Sequence, residues 1–443
     1  MKRKFLQKLC AAGVVVSLLM GFTACAGRKP SSEKSAAAEQ SDMEQTAAEA
    51  QAETAAPTGT AYDRTAQNGA AVLNDGDSLT GGTYTATGAD ESVLEASGTV
   101  KASVTGASLK KTGGDATGAE NASFTGVNAA VRVYGNAEVL LADCEIEATA
   151  ENATGVFAYE NGVIRISDCA VNVTGGGAGG VQVAGGGTLI GENLTVTSAG
   201  KAAIRSDRGG GTLTLTGGSY TSTGSNGCPA IYSTADITVS DALCVSEKSR
   251  SVIIEGKNTV TLHNCTLTGN DQSTKEGSVK ANVLLYQSAS GDAADGTSVF
   301  TMEGGEMTAQ SGAMFYCTNT RSVINLKNAA LTLSEAGTLL TVSAGRWGRD
   351  GKNGGVCTLN AEEQTLNGNM ETDAVSSLQI NLTDSDYTGC ITGEGSVEVT
   401  MDENSTWTLT GDSYVTGFSG SASGVISNGY TLYVDGAALT GTN

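Results

Sequence analysis

The chain is 443 residues long, Gly-rich and Pro-poor, with 60 Gly against 3 Pro and only 5% aromatic residues. That mixture, dominated by small residues, Thr and Val, suits an all-β repeat with many tight turns and disfavours a helical or α/β enzyme. A formal net charge of −21 argues against nucleic acid as a partner, because phosphate binding needs a basic surface.

The chain opens with a targeting segment. Lys2, Arg3, Lys4 and Lys8 form a positive region before an apolar stretch from Leu9 to Phe22, too short and too soon ended for a membrane-spanning helix. The stretch ends Phe22-Thr-Ala-Cys25, which resembles a bacterial lipobox, with Phe in place of the usual Leu. The resemblance implies that residues 1–24 are a lipoprotein signal peptide and that Cys25 becomes the lipidated N-terminus, anchoring an exported protein to the cell surface. Residues 25–69 are Ala, Glu, Gln, Ser and Thr without a cluster able to seed a core, so they read as a low-complexity tether.

From residue 70 to 443 one pattern recurs, typified by Leu213-Thr-Leu-Thr-Gly-Gly-Ser-Tyr220. Aligned on the second apolar residue, the copies are anchored at Leu79, Val104, Leu141, Ile166, Ile190, Leu215, Val239, Leu262, Met302, Leu326, Leu382, Leu409 and Val434. Most spacings are 23–25 residues, with longer intervals of 37, 40 and 56. Two residues before the anchor stand apolar residues such as Val139, Ile164, Leu213 and Phe300. Alternation along a strand puts these on the same face as the anchor.

Two residues after the anchor the chain carries Gly, Asp or Asn in every copy but one, Glu192. Those residues tolerate a left-handed backbone, so each copy bends at one place. An apolar position follows the bend, as at Ile146, Val171 and Tyr220, and a further short strand precedes the pattern, as in Gly155-Val-Phe-Ala-Tyr159. Three strands in about 24 residues make one coil of a parallel β-helix. Leucine-rich repeats need a different leucine frame, and propeller blades need about 40 residues. The expectation is an all-β, single-domain right-handed parallel β-helix of about 13–15 rungs at 4.8 Å per rung. Residues 62–78 read as its N-terminal cap, and the C-terminal end reads as uncovered.

Cys144, Cys169 and Cys265 share one column beside the bend, with Cys144 and Cys169 in consecutive rungs. They read as small buried side chains, stacked and close enough to bridge. No Cys/His spacing of a zinc site is present.

The repeat resembles the pectin-lyase-like superfamily of right-handed parallel β-helices. Segments such as Val252-Ile-Ile-Glu-Gly-Lys257, Leu284-Leu-Tyr-Gln-Ser288 and Met314-Phe-Tyr316 are similar to adhesin-like β-helix lipoproteins of gut anaerobic bacteria. The resemblance implies a fold and a surface location and carries over no catalytic residue.

Polysaccharide lyases and glycoside hydrolases of this fold need charged side chains gathered across neighbouring rungs. The outward columns flanking the anchor instead read Arg165, Leu189, Thr214, Thr238, Thr261, Thr301 and Asn325 on one side, and Thr216, Ser240, His263, Glu303 and Lys327 on the other. These are mainly hydroxyl ladders on a solvated strand. His263, the sole histidine, reads as a surface residue without an acidic or Ser partner. The turn Arg205-Ser-Asp-Arg208 reads as solvated, and Asp292 with Asp295 offers too few carboxylates to hold Ca²⁺. The insertion 343–355 combines Trp347 with Arg346, Arg349 and Lys352, a pairing suited to stacking on a sugar or gripping an anionic group; alternatively Trp347 folds back onto the rod.

The sequence therefore points to a monomeric, non-catalytic adhesion or glycan-binding protein, with no resident cofactor and with a glycan, mucin or other host-surface ligand. A polysaccharide-cleaving enzyme and a plain spacer stand as alternatives.

Overall fold

Three short strands and three corners recur along the chain, and each strand pairs in parallel with its equivalent one coil earlier and one coil later. One coil runs Val156–Tyr159, Val163–Ser167, Ala170–Val173, and the next repeats it at Val181–Ala184, Gly187–Glu192, Thr195–Ser198. The result is a right-handed parallel β-helix with a first sheet of 13 strands, a second of 14, and a third of 10 that continues as four more. The computed structural model describes residues 69–443 apart from 226 and 276. The expected signal peptide, Cys25 and the expected tether as far as residue 68 lie outside the described residues, while Gly69 already opens a strand.

The interior is a set of straight side-chain stacks. On the second sheet the column Val139, Ile164, Leu189, Leu213, Ile237, Val260, Phe300, Ile324, Leu359, Ile380 and Val399 is buried from end to end. Each such side chain contributes about 1.5–3 kcal/mol by leaving water, and each touches mainly its own rung and the two beside it, which is why the period repeats so strictly.

The register differs from the sequence alignment in three places. Ile190 pairs with Arg165 and Thr214 on the outer surface, while Leu189 faces inward. The inward anchor of that rung is Gly191, and the space its missing side chain leaves is filled by Leu194 and Leu215. Its bend therefore falls on Asn193, at φ 51°, in line with Asp143, Asp168 and Asp241; the one exception in the bend column was a slip of one residue. The 56-residue interval holds a complete rung anchored on Ala361, opposite Leu326 and Leu382. Beyond it the coils shorten, so the second-sheet partner of Leu382 is Met401; Leu409 lies on the third-sheet continuation and Val434 on a strand pairing with Ser413–Val415.

Both ends also depart from expectation. Gly69–Val72, Ser78–Thr80 and Thr83–Ala86 already form a full first rung, so 69–78 is no separate cap. At the other end Leu432–Val434 turns back antiparallel onto Ala437–Ala438, and the Asn443 backbone N–H donates to Val425 O at 2.9 Å. The last parallel strand thus has its edge covered.

Four segments exceed the repeat, at 112–130, 270–280, 287–296 and 343–355, and all four flank the first sheet. The second and third sheets keep the alternating buried and exposed pattern of a half-solvated strand, whereas strands of the first sheet are buried on both faces, as in Val131–Tyr134, Val181–Ala184 and Ala313–Thr318.

Candidate functional site at the outer face of the first sheet

The row on the outer face of the first sheet reads, rung by rung, Glu95, Arg132, Phe157, Gln182, Arg205, Tyr232, Ile253, Leu284, Tyr316 and Thr341. This row is bulky and rich in apolar and aromatic residues, as suits a face that the insertions cover.

The short helix Ala119–Thr125 covers the N-terminal part. Its C-cap Gly126 sits at φ 72°, where a Cβ would come within 2.5 Å of the Phe157 ring, so glycine is required both by the backbone and by the packing. From this segment Thr125 O accepts from Arg132 Nε at 3.0 Å, Ser123 O accepts from Gln182 Nε2 at 2.9 Å, and Ser123 Oγ pairs with Lys201 Nζ. Phe124 lies 4.2 Å from the Arg208 guanidinium.

The C-terminal part is covered by the other three insertions. Segment 270–280 is held by a buried Arg250–Asp271 ion pair at 3.0 Å. Segment 287–296 is held by Glu255, a fully buried carboxylate that accepts from Tyr286 OH at 2.9 Å and also from Tyr232 OH and Ser288 Oγ. Burial first, and then the Glu255 charge, push both phenols well above the usual tyrosine range, so they remain donors. Segment 343–355 places Trp347 against Tyr286, ring centroids 4.6 Å apart, over Ile253, Leu284 and Tyr316.

Trp347 is therefore 8% exposed and folds back onto the rod, with the Arg346 guanidinium over its ring at 4.6 Å. It is a packing element of the cover. Arg346, Arg349 and Lys352 stand exposed on the same insertion.

Between the two covers runs a seam, crossed by Arg208. Its guanidinium stacks on Phe124 from one cover and pairs with Asp292 from the other at 2.7 Å. Beneath lie Lys201, Arg205, Asp207 and Tyr232. Arg205 grips Asp207 through Nε at 2.9 Å and Nη2 at 2.8 Å, and lies 4.6 Å over the Tyr232 ring. The solvated turn expected at 205–208 is instead a half-sheltered polar cluster, with the Asp207 side chain only 3% exposed. Asp292 is occupied by Arg208 and is not offered to a cation; among the described residues no group of three or more candidate metal ligands occurs.

Lys201 has no carboxylate within ion-pair distance among the described residues. Burial, followed by the nearby Arg205 charge, lowers its ammonium to about 8. Because the folded-state value lies below the unfolded one near 10.5, the folded chain carries a cost at pH 7 that is relieved as pH rises from about 8 to 10.5. The parent should therefore gain about 2 kcal/mol more than Lys201→Met across that window, measured by urea unfolding at pH 7.5 and 10.5. Equal gains in both proteins would mean the ammonium is well solvated.

The second sheet carries the expected ladder. Thr214, Thr238, Thr261 and Thr301 stand in register and continue as Asn325, Asn360 and Asn381, whose amides bond to each other at 2.8 Å. His263 is not without a partner: Glu303 faces it one rung on, Nδ1 to Oε2 at 3.3 Å, and Lys327 and Glu362 extend the row. A shallow depression of about 310 Å³ runs beside it, lined by His263, Asn264, Glu303, Gly304, Lys327 and Asn328.

Compared with family models, curated proteins and solved structures, the chain matches none of them.

Proposed function

We propose that this chain is an exported surface protein, anchored through a lipid on Cys25, that binds glycans without cleaving them at the seam between the two covers of its first sheet. The reading joins the lipobox-like leader and the likeness to adhesin-like members of the pectin-lyase-like superfamily to one observation. The four segments that exceed the repeat all flank one sheet, and on its outer face Arg132, Arg205 and Tyr232 stand where the second sheet carries Thr ladders, with Lys201 and Arg208 beside them. Loops raised on a rigid scaffold are where recognition concentrates. The seam at Lys201, Arg205, Arg208 and Tyr232 is the proposed centre of contact, with Arg346, Arg349 and Lys352 on a neighbouring insertion as further contacts; the Lys201 ammonium favours a glycan with an anionic substituent.

The test is retention of a soluble Cys25→Ser chain on insoluble glycans and mucin. Parent protein should be retained, and Lys201→Met with Arg208→Gln should weaken retention at least tenfold. Loss on Trp347→Ala alone, with the seam variant retained, would move the site to the 343–355 insertion. No retention on any glycan would overturn the reading and favour a spacer. Polysaccharide cleavage is a second reading, favoured by the meeting of Lys201, Arg205 and Asp207; new reducing or unsaturated ends in the same incubations would establish it.

A further inference from the structure

Eight cysteines lie among the described residues, all as thiols, and two pairs of them touch. The pairs differ in geometry. Cys144 and Cys169 occupy equivalent positions on successive rungs, between the register pairs Ala142–Ser167 and Glu145–Ala170. Side chains stacked this way have Cβ atoms about a strand spacing apart, roughly 4.8 Å, longer than the roughly 3.5–4.5 Å a disulfide spans. The Cys144 backbone N–H also donates to Cys169 Sγ at 3.2 Å, which occupies that sulfur as a hydrogen-bond acceptor.

Cys317 and Cys357 meet differently. Cys317 is an inward residue near the end of the first-sheet strand Ala313–Thr318, and Cys357 is the second residue of the second-sheet strand Val356–Glu362 of the following rung. They approach across a corner of the core from two different sheets, both buried, with Sγ atoms 3.5 Å apart. The backbone around them is closely packed: Ser343 N–H donates to Cys317 O at 3.2 Å, and Gly355 lies so close that a Cβ there would be 2.6 Å from the same oxygen.

We infer that Cys317 and Cys357 form a disulfide that staples the base of the 343–355 insertion, while Cys144 and Cys169 stay reduced. Two protein S–H bonds and the S–S bond of a small-molecule or protein disulfide oxidant break; one protein S–S bond forms, and the two electrons and two protons pass to the oxidant, which becomes two thiols. Burial pushes the Cys317 thiol well up, so little thiolate exists in the finished core and exchange there is slow. The bond forms as the rung of Val356–Glu362 docks, before both sulfurs are sealed. The bridge closes the coil that carries the exposed Arg346, Arg349 and Lys352 in its corner.

Exposure of that run supplies the test. The full chain is unfolded, refolded with a mixture of reduced and oxidised glutathione, then nicked lightly with trypsin, which cuts at Arg349 or Lys352. The expected result is that the halves stay joined on a non-reducing gel and separate on reduction. A linked peptide containing Cys317 and Cys357 should appear 2 Da below the sum of its thiol forms, with Cys144 and Cys169 alkylated. Cys357→Ser should abolish the linkage and leave Cys317 open to alkylation once the protein is denatured. Because this readout is covalent, it stands even if the variant is less stable. Halves that separate without reductant, full alkylation of Cys317 and Cys357 after denaturation, or a bridge at Cys144–Cys169 instead would overturn the inference.

Discussion

Trp407→Ala is expected to cost about 3–5 kcal/mol and to unravel the C-terminal rungs ahead of the rest. The indole is fully buried in the third-sheet stack, in register between Tyr387 and Val425, with its ring 5.5 Å from that of Tyr387 and its Nε1 donating to Gly389 O at 3.0 Å. Removing it leaves a large void and an orphaned carbonyl in the narrowest coils. In a solenoid each rung leans on its neighbours alone, so the loss stays local. Hydrogen exchange should accelerate across 406–443 and stay unchanged across 138–240. Trp407→Phe, which fills most of the volume, should cost only about 1–2 kcal/mol. Uniform acceleration along the chain would show that the rod unfolds as one unit.

Arg132→Ala should be equally damaging, for the opposite reason. Arg132 is a charge buried outside the sheet, 1% exposed, with Nη1 3.6 Å from Glu95 Oε1 and its guanidinium 4.3 Å from the Tyr134 ring. Tyr134 OH completes the group by donating to Glu95 at 2.8 Å, and burial followed by that hydrogen bond keeps the phenol protonated above its usual range. Truncating the arginine strands a carboxylate in a dry site and frees Thr125 O at the end of the helix, a loss of about 3–5 kcal/mol. The double variant Arg132→Met with Glu95→Gln removes the charge from both sides and should recover at least half of that. Thermal unfolding of the two single variants and the double decides it; a double variant as unstable as Arg132→Ala would mean that packing, not charge, is what the arginine supplies.

How far the sequence could be read follows from what each signal encodes. The strand–bend–strand pattern reports side-chain alternation and a left-handed residue, so it located the inward stacks and the bends. It cannot tell one corner of the coil from another. Trp407-Thr-Leu-Thr-Gly-Asp-Ser-Tyr414 repeats the pattern of Leu213 to Tyr220 but turns from the third sheet toward the first. Nor can alternation fix the register where Leu189 and Ile190 are both apolar; only the misplaced Glu192 hinted at the slip. The candidate site was hidden because its residues come from rungs far apart: Phe124, Arg208 and Asp292 meet only after the coils stack. One signal for it was present. Strands such as Val-Phe-Ala-Tyr and Val-Ile-Ile-Glu do not alternate, which is the mark of a sheet buried on both faces and hence of something lying on top.

The clasp at Arg208 has a consequence for how such a chain can change length. Solenoids grow and shrink by whole coils, each moving everything beyond it by about 4.8 Å. From Thr125 and Arg132, through Ser123 and Gln182, to Phe124, Arg208 and Asp292, cross-ties span every coil from 131 to 303. Gaining or losing one coil there would pull a tie out of reach, whereas a coil added beyond Ser377 meets no such tie. With Trp347 reaching back to Tyr286, the ties fix the coil count under the dressed face and leave only the coils beyond Ser377 free to vary.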